Sequence, residues 1–351
     1  MKRFLYTIHL SLTVVYAFAQ DLPIAAQKFS NNAFYNPAVV GLNGNLGDFA
    51  FQRRWHNLDN NFSIAYASGH FVFNEYGIAT GISAYMESTG LFKKTELAAS
   101  LAYHTQISNT SLLSYGLKAS YMQNSFDNSS VEVRSQNDFL INNFGNQNNF
   151  DFSFGLNYSS EYFDAGLSSN NIVSLLRGFN NNENNLNYTF PSFFTAHTIV
   201  RSAKETDENN HLFEGRLNYR RTINNLNIVD AGIYYTYAKQ ITFGASYRNN
   251  NAFYLLAGYT LTSKSEMQIT LGYSHEIFAG NNIYKNLPSE EIILRYVHDR
   301  SSGIGNSINK SSNGPRRNPH KNRYKGRTPK KPWKGDMRIK GSNKKRKRTR
   351  H

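Results

Sequence analysis

At 351 residues, with a mean hydropathy of −0.55 and no cysteine, the chain has room for a large fold. It has no means of building a disulfide framework or a thiolate metal site. The formal charge of +15 is local: 18 of the 39 Lys/Arg and one of the 24 acids follow Arg300, so residues 1–300 hold 21 bases against 23 acids. Aromatics reach 14%, mostly Tyr and Phe, while glycine is frequent and proline scarce, a balance that suits a β-barrel with a wet interior better than a helical protein.

The chain opens with Lys2 and Arg3, an apolar run over 4–18, and Ala17 and Ala19 at the small-residue positions of a cleavage site. Residues 1–19 therefore read as a secretory signal peptide cut before Gln20. The run is short of the roughly 18–20 residues a spanning helix needs, and no later segment supplies one. An exported chain that enters lipid must then do so as a closed barrel, because only closure satisfies every strand's backbone groups.

Residues 20–45 form an irregular lead-in punctuated by Pro23, Pro37 and clustered Asn and Gly. From Leu46 onward, period-two segments recur at 46–54, 61–72, 76–86, 94–107, 112–123, 150–159, 161–169, 191–200, 211–220, 228–237, 240–248, 251–261, 267–277 and 290–298. These fourteen have the length of tilted transmembrane strands. In the hairpin 150–169, Phe150, Phe152, Phe154, Leu156 and Tyr158 alternate with Asp151, Ser153, Gly155, Asn157 and Ser159. Successive strand side chains point to opposite faces, so all the aromatics share one side, expected to meet lipid. Tyr85, Tyr103, Tyr121, Tyr158, Tyr247, Tyr273 and Tyr296 lie toward strand ends, where an interfacial aromatic girdle is expected.

With the first strand running outward, the long connections at 124–149 and 170–190 fall on the outside and most short links fall in the periplasm. The charged stretch 201–210 is long for an inner turn. The fold class is thus all-β: a transmembrane antiparallel barrel of about 14 strands over 46–298, with the lead-in expected to occupy part of the lumen.

After residue 298 the texture changes. Residues 299–351 are Gly/Pro/Asn-punctuated and nearly devoid of apolar side chains, which predicts a disordered basic tail. Lys344, Lys345, Arg346, Lys347, Arg348 and Arg350 are its densest charge. On the periplasmic side they suit an anionic envelope polymer, lipid head groups or an acidic periplasmic protein; nucleic acid would require another compartment, and a solvated appendage without a fixed partner is the bland alternative.

Nothing in the sequence demands an enzyme. There is no His-Glu-x-x-His, no Gly-x-Ser-x-Gly and no phosphate-binding glycine loop, and no cofactor is expected. His56 with Asp59, or His275 with Glu276, are conceivable as the loop residues of a barrel enzyme, although such pairs in polar segments are usually unremarkable. Arg53, Arg54 and Trp55 at the first outer turn suit an interface anchor facing lipopolysaccharide or, alternatively, a protein contact.

The lead-in "FSNNAFYNPAVVG" (29–41), carrying Asn36-Pro37-Ala38 and Gly41, resembles the PorP/SprF family of Bacteroidetes. So do the Arg54-Trp55 turn, the 150–173 hairpin with its Asn-initiated helix, and the closing "EIILRY". The resemblance spans about 21–298. It implies an outer-membrane barrel of the type IX secretion system that helps export a large secreted adhesin of the gliding-motility kind, or holds it at the surface. A second reading is a passive porin or small-solute channel. Asn36, Pro37, Arg53, Arg54 and Trp55 are the candidate partner-binding residues, and the tail has no counterpart in the family pattern.

Overall fold

The computed structural model describes residues 32–54, 62–73, 76–126, 147–180, 192–203, 210–222, 227–249, 252–263, 267–278 and 289–299. Fourteen antiparallel strands close on themselves: β1 (Asn45–Arg54), β2 (Phe62–Phe73), β3 (Ile78–Thr89), β4 (Phe92–Ser108), β5 (Ser111–Phe126), β6 (Gln147–Ser160), β7 (Phe163–Asn170), β8 (Phe193–Arg201), β9 (His211–Thr222), β10 (Asn227–Tyr237), β11 (Ile241–Arg248), β12 (Ala252–Thr262), β13 (Gln268–Phe278) and β14 (Ser289–Asp299). Every strand pairs with its chain neighbours, and β1 pairs with β14 from Asn45 opposite Asp299 to Arg54 opposite Ser289. No strand edge is left open, which is what a chain crossing lipid by strands requires.

The alternation read from the sequence becomes a two-sided wall. Phe150, Phe152, Phe154 and Tyr158 are exposed on the outer face of β6, while Asp151, Ser153 and Asn157 are buried inside. Likewise Phe243 and Tyr247 face out from β11, with Thr242, Ser246 and Arg248 inside. Ring pairs such as Tyr121–Phe150 and Tyr247–Phe253 lie toward one rim, and Tyr158–Phe163 and Phe213–Tyr235 toward the other, as two interfacial belts. One tyrosine of the expected girdle departs: Tyr85 is 2% exposed and points into the lumen, because it shares a face with Ala79 and Gly81, whereas Ile82 and Met86 take the outward positions.

Both ends of the barrel, Asn45 and Asp299, sit at one rim with the links at 109–110, 161–162 and 238–240. The opposite rim carries the connections at 127–146, 171–192 and 279–288. The parity argument therefore holds through 202–210, since β8 and β9 pair across it. At the long-loop rim one helix, α1 (Ile172–Asn180), leaves β7 through Asn171, whose φ is 58°. Asp151 of β6 caps it. The carboxylate accepts from Val173 N at 2.8 Å and Ser174 N at 3.0 Å, and from Ser174 Oγ at 2.6 Å, so a strand side chain serves the helix's orphan donors.

Candidate functional site: the filled lumen

The lumen is built in two unlike halves. Along β9–β14 and β1 the wall fills the interior with its own side chains. Tyr234 lies over Gly232 of its own strand and Gly244 of β11, where added Cβ atoms would run into its ring. From there it packs with Ala50, Leu256, Ile293 and Tyr66, side chains of β1, β12, β14 and β2. Strands that are not neighbours thus meet across the interior, which makes this half a packed core.

Above that core, toward the long-loop rim, runs a chain of paired charges. Arg248 Nε donates to Asp230 Oδ1 at 2.6 Å, and Arg220 Nη2 lies 3.4 Å from the other carboxylate oxygen. Arg248 also donates to the Tyr254 hydroxyl, which in turn donates to Glu276. Below the core, Arg201 lies 2.5 Å from Asp164 and 3.3 Å from Glu214, Glu214 also accepts from Arg216, and Arg295 Nε meets Asp48 at 2.6 Å. Each of these charges, buried above the core and half-buried in part below it, has an opposite charge beside it or one hydroxyl away, the condition under which charges are tolerated away from water.

The other half, β3–β7, presents Ala79, Gly81, Ala102, Ser114, Gly116, Ser153, Gly155 and Gly166 to the interior. Small residues leave space, and the lead-in fills it. Two short 3₁₀ turns, Asn32–Phe34 and Pro37–Val39, lie inside the barrel. Asn36 caps the second: its Oδ1 accepts from Ala38 N at 3.0 Å, and Pro37 supplies the fixed φ that favours the first position of such a turn. The Asn36 amide donates to Leu156 O of β6 at 3.0 Å. Asn36 and Ala38 are 0% exposed. Gly116 and Gly155 face each other across β5 and β6, and a Cβ on either would collide with the Pro37–Ala38 backbone or the Asn36 side chain. The lead-in then turns out of the lumen at Gly41, with φ 79°, against Ala79.

Wall side chains hold this segment from several strands. Lys118 of β5 pairs with Glu96 at 3.0 Å and donates to Phe34 O at 3.3 Å. Ser168 Oγ and Asn170 Nδ2 of β7 both donate to Tyr35 O, at 2.6 and 2.9 Å. His104 Nε2 donates to Val40 O at 2.9 Å while its Nδ1 accepts from Ser114 Oγ, and His70 Nδ1 accepts from Gly41 N at 3.3 Å. The Phe34 ring packs on Tyr66 and Tyr85, and the Arg220 guanidinium lies 4.3 Å from the centre of the Tyr35 ring. Burial holds the Tyr35 phenol above its ordinary value, against the lowering pull of Arg220 and Arg248.

The candidate residues are therefore distributed. Asn36 and Pro37 are buried in the lumen seat. Arg53 and Arg54 part company: Arg53 faces outward opposite Glu290, while Arg54 is 2% exposed inside with its guanidinium 5.2 Å from the Phe62 ring. Adjacent residues on a strand must do this. Trp55 and the tail residues Lys344, Lys345, Arg346, Lys347, Arg348 and Arg350 lie outside the described residues, as do His56, Asp59 and the signal peptide. His275 and Glu276 also part, the histidine outward at 3.9 Å from Glu290 and the glutamate inward. Among the described residues, no three His, Asp or Glu side chains gather to hold a metal.

The solved structures to which the chain is similar include the Pseudomonas putida toluene transporter TodX. It is 10% identical, with 77% of this chain and 94% of that one covered and a TM-score of 0.47. A Pseudomonas aeruginosa FadL homologue is 9% identical over 77% and 94%, with a TM-score of 0.43. Omp33 of Acinetobacter baumannii is 9% identical over 73% and 99%, with a TM-score of 0.39. No curated protein matches the sequence. The family model for the type IX secretion system membrane protein PorP/SprF matches residues 17–296, nearly the whole barrel and the lumen segment together. The chain is an outer-membrane β-barrel and belongs to the PorP/SprF family.

Proposed function

We propose that this barrel is a non-enzymatic docking protein of the type IX secretion system that holds or helps to export a secreted surface adhesin. Family membership supports the secretion role. The single observation favouring docking over passive diffusion is the occupied interior: Tyr234, Leu256 and Ile293 meet Ala50 in one half, and Phe34–Gly41 fill the other. A barrel filled in this way offers its partners a rim, and the long connections 127–146 and 171–192 lie on one rim. The basic tail would add a salt-sensitive contact to an anionic envelope component or an acidic periplasmic protein.

Affinity capture with the tagged barrel tests the reading. Recovery of one large surface protein, lost when residues 127–146 are deleted, supports docking. Steady open-channel currents from the purified barrel in a planar bilayer, without any captured protein, would replace it with the porin reading.

A further inference from the structure

The seat of the lead-in has a chemistry that its occupant does not exhaust. Five wall side chains address main-chain atoms of the segment: Lys118 at Phe34 O, Ser168 and Asn170 at Tyr35 O, His104 at Val40 O and His70 at Gly41 N. Contacts of this kind read a backbone path and are indifferent to most side chains placed along it, as in the recognition of added strands. Side-chain selection falls on Asn36, whose amide is shared between Ala38 N and Leu156 O, on the glycine floor beneath Pro37, and on the Phe34 and Tyr35 rings, which pack on Tyr66 and Tyr85 and under Arg220. Gly116 and Gly155 lie side by side on β5 and β6, and an added Cβ on either would meet the Asn36-Pro37-Ala38 turn; at Gly166 of β7 it would meet His197 and Asn157 as well as the Asn36 amide. The two glycines of β5 and β6 form the floor of a trough that the turn occupies. The segment leaves the trough through Gly41 and Gly44, with φ of 79° and 93°, conformations that glycine adopts without strain.

From this we infer that the inner wall from β2 to β7 is a binding site for polypeptide backbone, with Phe34–Gly41 as its resident ligand in cis. A second polypeptide segment bearing an Asn-Pro turn takes the site in trans when the lead-in swings out. The tether gives the resident segment an effective concentration on the order of millimolar, so a free competitor exchanges at that concentration and one held close to the barrel does so more readily. The lumen then acts as an exchangeable peptide site. This assignment is independent of which protein the long loops engage.

The chain has no cysteine, so a single Ala38→Cys substitution in the full-length protein places one thiol at a position that is 0% exposed in the seat. The folded barrel in detergent micelles is treated with a hydrophilic maleimide while a synthetic peptide of residues 29–41 is titrated in. The expected result is a saturable rise of about tenfold in labelling of the introduced thiol, with the Asn36→Ala peptide needing about tenfold more to reach it. Asn36→Ala and Gly155→Val in the full chain serve as release controls, with heat-dependent gel mobility reporting that the barrel is folded. Labelling that rises in a folded control but stays flat with peptide would overturn the inference, because the lead-in then leaves a site that admits no second chain. Labelling that is rapid without peptide or release substitution, or unmoved in both folded controls, would overturn it too, because the seat is then not where Ala38 resides. No secreted partner enters the assay, so a flat peptide titration with folded, labelled controls leaves the docking reading untouched, whereas rapid labelling without peptide would also remove the occupied interior on which that reading rests.

Discussion

Removing the Asp230 carboxylate is the sharpest test of the charged half of the lumen. Asp230 and Arg248 have side chains 2% and 3% exposed and meet at 2.6 Å; the Arg220 side chain, 4% exposed, stands 3.4 Å from the second oxygen as a charge contact. In Asp230→Ala two guanidiniums keep their burial and lose their shared counter-charge. Arg248 still has the Tyr254 hydroxyl, itself bonded to Glu276, and Arg220 the face of the Tyr35 ring, but the carboxylate in direct contact with both is gone. Breaking a buried pair on one side costs about 3–5 kcal/mol, whereas removing both partners of a pair comes close to neutral. Asp230→Ala should therefore lower stability by about 3–5 kcal/mol, and Asp230→Ala with Arg248→Met should restore more than half of that loss. The assay is a urea titration of the barrel in detergent micelles, with the folded fraction read from heat-dependent gel mobility. Because Arg220 carries the Tyr35 ring, adding Asp230→Ala to the Ala38→Cys chain should also speed maleimide labelling. A single-variant cost below about 1 kcal/mol, the range of exposed ion pairs, would mean that water reaches these charges and that this half of the lumen is not packed.

Asp151→Ala strips the cap from α1 and should cost about 2 kcal/mol locally, seen as about thirtyfold faster hydrogen exchange at the Val173 and Ser174 amides. Ile233, 71% exposed near the middle of β10, faces the acyl chains, so Ile233→Lys should cost about 2–4 kcal/mol in bilayers, and Phe253→Lys near the rim about 1 or less. Equal costs at the two positions would contradict the placement of the apolar band. The raised Tyr35 phenol is bound as the neutral form. Its contribution to the seat is therefore complete below the ordinary tyrosine value and is lost as pH rises through the higher folded value. Iodoacetamide labelling of the Ala38→Cys chain, normalised to the unfolded chain at the same pH, should accelerate in that alkaline window, and less so when Tyr35→Phe is added. Truncation after Arg300 should leave assembly intact while weakening an envelope contact that 0.5 M salt also weakens; a truncated chain with unchanged envelope binding would remove the tail from the mechanism.

The strands were legible because lipid outside and packed polar groups inside impose opposite chemistry on alternate residues. Each of the fourteen segments is a strand, with ends displaced by three residues at most, as at 150–159 against Gln147–Ser160. Parity within a strand also carried information that residue type concealed. Phe49 and Phe51 face outward on β1, which already commits Arg53 outward and Arg54 inward, and Ile82 and Met86 commit Tyr85 inward. A tyrosine near a strand end is compatible with a membrane belt or with a lumen core, and only its phase decides between them.

What remained hidden is the match between the lead-in and its wall, because that information is stored at long range. Asn36 and Leu156 are 120 residues apart, Tyr35 and Asn170 are 135 apart, and nothing local to either partner announces the other. The wall's half of the signal was present as an inner face of Gly116, Ser153, Gly155, Gly166 and Ser168 on strands whose counterparts across the barrel carry Arg248, Tyr254, Ile293 and Arg295. A lumen face that is small on one side and large on the other implies a resident on the small side. Such a resident can be a loop folded in from a rim or a segment flanking the barrel. Asn-Pro-Ala ahead of the first strand is of the second kind, with a polar cap for the turn and a side chain small enough to lie flush against glycine. The motif is thus best understood as half of an internal interface, and this is why its two most conspicuous residues, Asn36 and Pro37, are buried in the lumen and the outer surface is left to the loops.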